Sequence, residues 1–320
     1  MKFFGETHLD FVSKRRVAFI VSIVIILAGF ITWIARGGLI YSIDFTGGTS
    51  LELDLAPNSP DIDPLSAQDL RNVLTKAGYE DIEIQNIGKR THYLIRTKAG
   101  NTQTQKNQNQ ISENIISILK SNFPDHTDKA TEELIRLQSS VGPRIGQELK
   151  GKAVWAIFYS LLGIIIYIWW RFEFTFGLAA VIALFHDVLI TLGIFAMTGK
   201  EISLPIVAAL LTIVGYSLND TIVVFDRIRE DLKVYRREGY ESIVNHSINE
   251  TLSRTVITSL TTFVVVLTLY LFGGTVINDF AFALMIGVVV GTYSSIFIAS
   301  PILVEHFIRR QNRKGIRRGR

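Results

Sequence analysis

Long apolar runs alternate with polar segments along the chain, and six of the runs are long enough to cross a hydrocarbon core of roughly 30 Å. They lie at 17–36, 153–170, 174–197, 202–225, 255–273 and 280–304, giving the order one span, a polar stretch of domain size, then five spans. The first run follows Lys14-Arg15-Arg16, as the apolar part of a signal peptide would. It continues for about 20 residues and no small-residue cleavage site closes it convincingly, the pattern of a retained transmembrane helix.

The polar stretch, 37–152, switches between two periodicities. YSIDFTGGTSLELDL alternates apolar and polar positions and predicts a strand interrupted by a turn or bulge at Gly47-Gly48. SAQDLRNVLTKAGY predicts a helix with Ser66 as N-cap and Gly78 as its stop. DIEIQNI and THYLIRT predict strands separated by Gly88-Lys89. The Gln/Asn-rich segment 101–110 is too polar to bury and predicts a mobile loop before the helix of ISENIISILKSNF; ELIRLQSSV predicts the last strand. The expected fold class is membrane α+β: six transmembrane helices, one plus five, with a ferredoxin-like β-α-β-β-α-β domain between the first and second.

Lysine and arginine gather on one side of this plan: Lys14 to Arg16, Arg171, Arg227 to Arg237, and the tail from Arg309 to Arg320. The opposite short loops carry a single lysine, Lys200. The positive-inside rule then makes both termini cytoplasmic and the 37–152 domain extracytoplasmic. On this plan 1–16 is a cytoplasmic or interfacial N-terminus and 17–36 the first helix. The block 153–304 holds the other five helices and a cytoplasmic helical hairpin at 226–253 divided by Gly239, and 305–320 is a basic cytoplasmic tail.

Composition agrees with a membrane protein: 48% of the 320 residues are hydrophobic and the mean hydropathy is positive. Much of the excess behind the net charge of +4 sits in the tail, which beside a span reads as an anchor for anionic membrane lipid rather than a nucleic-acid site. The absence of cysteine excludes disulfides, thiolate zinc sites and cysteine nucleophiles. No Gly-rich loop ending in GK[ST] is present, so ATP is disfavoured as a fuel.

Ionisable residues inside the spans are few: His186, Asp187, Asp220 and Arg254. A charge at a helix centre costs roughly 2.5–3.5 kcal/mol even on the lenient insertion scale, so each carries a functional expectation. In VGYSLNDTIVVFDRIRE, Asp220 lies on a polar stripe with Thr212, Tyr216, Asn219 and Arg227 at helical spacing; Arg254, Thr258 and Thr261 form a second stripe on the next span. Burial raises the proton affinity of such a carboxylate and a nearby arginine lowers it, so movement of Arg254 relative to Asp220 couples proton exchange to conformation. A static Asp220–Arg254 ion pair that fixes packing is the competing reading. Asp187 is either an auxiliary of this network or a helix-to-helix hydrogen-bonding residue, and no ligand-spaced cluster supports a metal. Gly287, Gly291, Ser295 and Ala299 give the last span a small-residue face for close helix packing. No nucleophile with an adjacent base argues for a membrane hydrolase, so an enzyme is not expected.

DFTGGT at 44–49, HDV at 186–188, SLNDTIVVFDRIRE at 217–230 and NETLSRTVITS at 249–259 resemble the motifs of the SecF branch of the SecD/SecF protein-export family, in the resistance-nodulation-division superfamily. The resemblance spans essentially the whole chain. It implies a periplasmic domain carrying the motif residues Asp44, Phe45, Gly47 and Gly48, and a bacterial cytoplasmic (inner) membrane location. It further implies pairing with SecD, association with the SecYEG translocon and YajC, and use of the proton-motive force, without a cofactor, to promote translocation of a preprotein substrate. Asp220 matches the family's proton-relay aspartate, and Arg254 and Thr258 its polar partners. A half-sized proton-driven lipid or drug exporter and a passive translocon scaffold are the alternatives.

Overall fold

The computed structural model describes residues 9–79, 82–87, 90–98 and 105–318. The expected Gly88-Lys89 turn, Asn101 to Thr104 of the polar segment, and Arg320 lie outside these residues. The chain forms two compact units, one of them Tyr41–Trp155, where the sequence pattern predicts 37–152, and the other the remainder.

The first apolar run forms α1 (Arg15–Ala35). The polar unit follows as α2 (Ile43–Thr46), β1 (Gly48–Asp54), α3 (Ala67–Lys76), β2 (Ile82–Asn86), β3 (His92–Lys98), α4 (Gln105–Asn122), α5 (Pro124–Thr127), α6 (Thr131–Leu134) and β4 (Ile135–Val141). Its antiparallel sheet has the order β2-β3-β1-β4, so the expected ferredoxin-like arrangement is present with short added helices. Leu51 and Leu53 of β1 pair with Ile95 and Tyr93 of β3 and pack with Leu70 of α3 and Ile115 of α4. α3 has the expected N-cap: Ser66 Oγ accepts the Asp69 amide at 3.1 Å while the Asp69 carboxylate accepts the Ser66 amide at 3.0 Å.

Two local expectations are corrected. Alternation from Tyr41 predicts a strand, but Ser42 Oγ accepts the Asp44 amide and Ile43–Thr46 closes a helical turn. Ile43 and Phe45 are both buried, so the alternation records burial without an extended backbone. Gly47 (φ +71°) and Gly48 (φ +139°) then turn the chain into β1, and the sheet's irregularity falls at Glu52/Leu53 instead. From Gln105 onward the expected mobile loop is the start of α4. High polarity argues against burial, whereas glutamine tolerates an exposed helix well.

The remaining elements are α7 (Pro143–Arg171), α8 (Phe174–Thr198), α9 (Leu204–Val234), α10 (Tyr240–Phe272), α11 (Thr275–Ser294), a π turn at Ser295–Ala299 and α12 (Ser300–Arg318). With α1 they supply six stretches long and apolar enough to cross a membrane. Four helices overrun the expected spans, because the polar flanks 143–152, 226–234, 240–254 and 305–318 stay helical. The 226–253 hairpin is therefore the continuation of α9 and α10, linked by residues 235–239. The last span is interrupted by the π turn; Pro301 offers no amide there, and Ser300 Oγ bonds the Ser295 carbonyl at 2.7 Å.

Helix packing follows the small residues. A Cβ on Gly29 of α1 would lie 2.4 Å from the Gly193 Cα of α8, and one on Gly287 of α11 would lie 2.2 Å from Ile213 Cγ1 of α9. The segment preceding α1 is bound to α10: Asn249 Oδ1 accepts the Leu9 amide at 2.9 Å and Asn245 Oδ1 the Phe11 amide at 2.8 Å.

Candidate functional site

α9 starts with Pro205 in its first turn and buries Ile213, Val214, Ser217, Asp220, Thr221 and Val224, the spacing of one helix face. Asp220, 2% exposed, therefore points between helices. Its Oδ2 lies 3.2 Å from Ser259 Oγ of α10, which lies 2.6 Å from Thr292 Oγ1 of α11, itself 2.8 Å from the Val288 carbonyl. Each hydroxyl has one proton and two lone pairs, so this chain has two polarities. With Asp220 ionised, Ser259 donates to the carboxylate and Thr292 donates to Ser259. With Asp220 protonated, it donates to Ser259, Ser259 to Thr292, and Thr292 to the Val288 carbonyl. The same heavy-atom positions accept both protonation states.

The other site residues divide between this interior and the surface. Arg254 is exposed on α10, five residues before Ser259, and Asp220 is bonded by the serine, not by Arg254. Thr258 and Thr261 share that exposed face, so the α10 stripe is present. The α9 stripe is split: Asn219 and Thr212 are exposed while Asp220 is buried, since neighbours on a helix point about 100° apart. Tyr216 is half-buried and its hydroxyl has no partner among the described residues. Asp187, fully buried in α8, is bonded by His186, Ser217 and Ser294 and shares no hydrogen bond with the Asp220 chain among the described residues.

Sequence reasoning missed the hydroxyls Ser22, Ser217, Ser259, Thr292 and Ser294. Their signal was position: Ser217 is one turn before Asp220, and Thr292 and Ser294 flank the small-residue face that Gly287 and Gly291 press against Ile213 and Ser217.

In the polar unit, Phe45 is buried and Asp44 half-buried. Gly47 and Gly48 are required by backbone geometry, and a Cβ on Gly47 would also lie 2.8 Å from the Pro143 Cα. At the polar ends of α9 and α10, ligand atoms of Asp231, His246 and Glu250 lie within 4.8 Å of one another. Arg227 already pairs with Asp231 at 3.1 Å and with Glu250, so a guanidinium supplies the positive charge in that cluster.

Three comparisons bear on this bundle. A family model described as protein export membrane protein SecD/SecF, C-terminal, matches residues 122–309. A protein translocase subunit SecF of Desulfurispirillum indicum is 46% identical over 302 residues, 93% of this chain and 91% of that protein. A protein translocase subunit SecF of Rickettsia conorii is 40% identical over 316 residues, 98% of this chain and 97% of that protein. SecDF from Thermus thermophilus, a translocon-associated membrane protein, matches with a TM-score of 0.79 at 36% identity, over 94% of this chain and 39% of the SecDF chain. SecDF in a super-membrane-facing form matches with a TM-score of 0.66 at 34% identity, over 98% and 41%.

Proposed function

Because the chain belongs to the SecD/SecF family of protein-export membrane proteins, we propose that it works as the SecF-type half of the Sec machinery, using the proton-motive force to promote preprotein translocation across the bacterial cytoplasmic membrane. The observation that carries this reading is Asp220: a carboxylate 2% exposed in an apolar helix, on a hydroxyl chain that takes either protonation state. Each proton moving inward delivers about 2.3 kcal/mol per 100 mV, enough over a few protons to bias a two-state assembly.

A SecD-type half covers the exposed polar face of the bundle. Asn219, Arg254, Thr258 and Thr261 lie on membrane-length helices yet are exposed, and hydrocarbon is a poor neighbour for them. The match to 39% of a SecDF chain supports such a partner. Facing that half, Arg254 changes its distance from Asp220 when the two halves move, with Tyr216 and Thr258 beside the path. SecYEG and YajC are the further protein partners, and the preprotein meets the domain between α1 and α7 on the extracytoplasmic side. Both termini lie in the cytoplasm on this reading, which the lysine and arginine distribution supports. The protein is not an enzyme and needs no cofactor beyond the gradient.

Inner-membrane vesicles with an imposed proton gradient test the reading. Asp220→Asn is expected to abolish gradient-dependent stimulation of export while the partner half still co-purifies. Undiminished stimulation, the behaviour of a passive scaffold, would overturn it.

A further inference from the structure

A second buried carboxylate stands apart from the Asp220 chain. Asp187 is 0% exposed and His186 8% exposed, near the middle of α8. His186 Nδ1 lies 2.8 Å from Asp187 Oδ1, and Asp187 Oδ2 accepts the hydroxyls of Ser217 from α9 and of Ser294 from α11. On the other side of the ring, His186 Nε2 lies 2.8 Å from Ser22 Oγ of α1, and Ser22 Oγ lies 3.2 Å from Tyr293 Oη of α11. Tyr293 donates its hydroxyl proton to the Ala18 carbonyl at 2.8 Å.

Counting protons along this chain fixes its charge. A carbonyl only accepts, so the Tyr293 proton is committed to Ala18, and the Ser22–Tyr293 bond takes the Ser22 proton. The His186–Ser22 bond then needs a proton on Nε2. The remaining bond, between Nδ1 and Asp187 Oδ1, holds one proton: on nitrogen as imidazolium and carboxylate, or on oxygen as imidazole and carboxylic acid. Ser294 Oγ also lies 3.1 Å from the Gly291 carbonyl, but its shorter contact, 2.8 Å, is to Asp187; with both serines donating to Oδ2, all these bonds are made together only if the pair is net neutral. Neutrality is also what burial favours, because an uncompensated charge at this depth is costly.

We infer that His186 and Asp187 hold one shared proton as a net-neutral pair, and that the pair is a positioning site that fixes α1, α9 and α11 on α8 rather than a second carrier in the proton path. The proton moves only between Nδ1 and Oδ1, which changes no net charge. Beyond the pair, one arm ends at the Ala18 carbonyl, and Ser217 and Ser294 donate inward. The groups facing the pair are Ser22 from α1, Ser217 from α9, and Tyr293 and Ser294 from α11; Tyr293 is the titratable one. Asp220, three residues after Ser217, is bonded in its own chain to Ser259. A site that keeps its proton can join four helices without discharging when Asp220 does.

The test contrasts the two carboxylates in the complex with its partner half, and its export arm rests on the proton-driven reading above. Asparagine reproduces a protonated Asp187: its amide donates to Nδ1 and its oxygen accepts from Ser217 and Ser294. Asp187→Asn is therefore expected to keep gradient-driven export within about threefold of the parent, whereas Asp187→Leu loses at least about tenfold. Loss of stimulation in Asp187→Asn with the complex intact overturns the inference, because it marks Asp187 as a proton carrier. A spectroscopic arm needs neither export nor a variant that folds. In ¹⁵N-histidine spectra of the parent complex, His186 is expected to carry a proton on Nε2 with Nδ1 in a hydrogen bond to Asp187. An Nε2 without a proton overturns the neutral pair even if the proton-driven reading stands, and failure of the Asp220→Asn test leaves this arm decisive.

Discussion

Replacing Gly287 by alanine measures how closely α9 and α11 must pack for the Asp220 chain to close. A Cβ on Gly287 would lie 2.2, 2.5 and 2.8 Å from Cγ1, Cδ1 and Cγ2 of Ile213. All three distances fall well inside the roughly 3.5–4.0 Å optimum for carbon pairs. Ile213 is 1% exposed and β-branched, so it has little freedom to turn away and the helices must part. Overpacking of this kind costs about 1–3 kcal/mol. Ile213→Ala alone leaves a cavity and costs about 2–5 kcal/mol. It also removes all three clashing atoms, so the double variant should be more stable than the sum of the single effects by at least about 1 kcal/mol. Gly151→Ala sets the baseline: its Cβ meets nothing within 4 Å in α7, and it should gain about 0.5–1 kcal/mol. Thermal unfolding of the full chain in detergent, followed by circular dichroism, gives the four values. Export should weaken in Gly287→Ala as well, since Thr292 lies just beyond Gly287 on the same helix. A neutral Gly287→Ala, or single effects that simply add, would refute the reasoning.

Two further outcomes follow from groups outside the spans. Burial pushes the Asp54 carboxyl up, but a hydrogen bond from Thr91 and the charges of His92, Lys129 and Arg136 outweigh it and hold the group below its usual 3.8. A carboxyl lowered by folding stabilises fully above its unfolded value, and the contribution is lost as pH falls through the folded value. Asp54→Asn should therefore cost about 1–2 kcal/mol at neutral pH, read from hydrogen exchange of the β1 and β3 amides, and the difference from the parent should shrink below about pH 4; a pH-independent difference would count against it. For the segment before α1, Asn245→Ala removes the acceptor for the Phe11 amide and a donor to the Leu9 carbonyl. A loss of about 1 kcal/mol there should speed tryptic cleavage at Lys14 about fivefold, and unchanged cleavage would show that the segment is held by other contacts.

The membrane plan was legible because it rests on long-range apolar periodicity, and the ferredoxin-like order because each of its strands and helices carries its own pattern. The failures were local. Ile43 and Phe45 alternate like a strand while lying in a helical turn, since two buried residues two apart satisfy either geometry when a serine cap intervenes. The end of a span was equally hard to read: hydropathy falls at the membrane boundary, but Asp226 to Val234 and Tyr240 to Arg254 keep helical hydrogen bonding beyond it. Asp220 was legible from its cost. Its bonding partner was not, because an arginine is a conspicuous counterpart to an aspartate and a serine in a threonine-rich helix is not. Which of Arg254 and Ser259 bonds Asp220 depends on which face α10 turns toward α9, and the spacing of polar residues does not report that.

Two buried carboxylates in one bundle are accommodated by different means, and the difference bears on coupling. Asp220 is bonded through hydroxyls whose direction reverses with its proton, so its hydrogen bonds are kept in either state. Asp187 is bonded to a histidine that supplies the compensating charge or accepts the proton, so the pair stays neutral and its helices stay joined. Both lie against α9 and α11: Ser217 and Asp220 are within one turn, and Thr292 and Ser294 straddle Tyr293. On the proposed proton-driven reading, a proton arriving at Asp220 acts on helices that Asp187 already joins through Ser217 and Ser294. On the same reading, the motion left to α9 and α10 is relative movement of the far side, the exposed face with Asn219 and Arg254. A bundle with two exchangeable carboxylates at this spacing would lack that fixed point, and protonation would loosen the junction as readily as it drove the face.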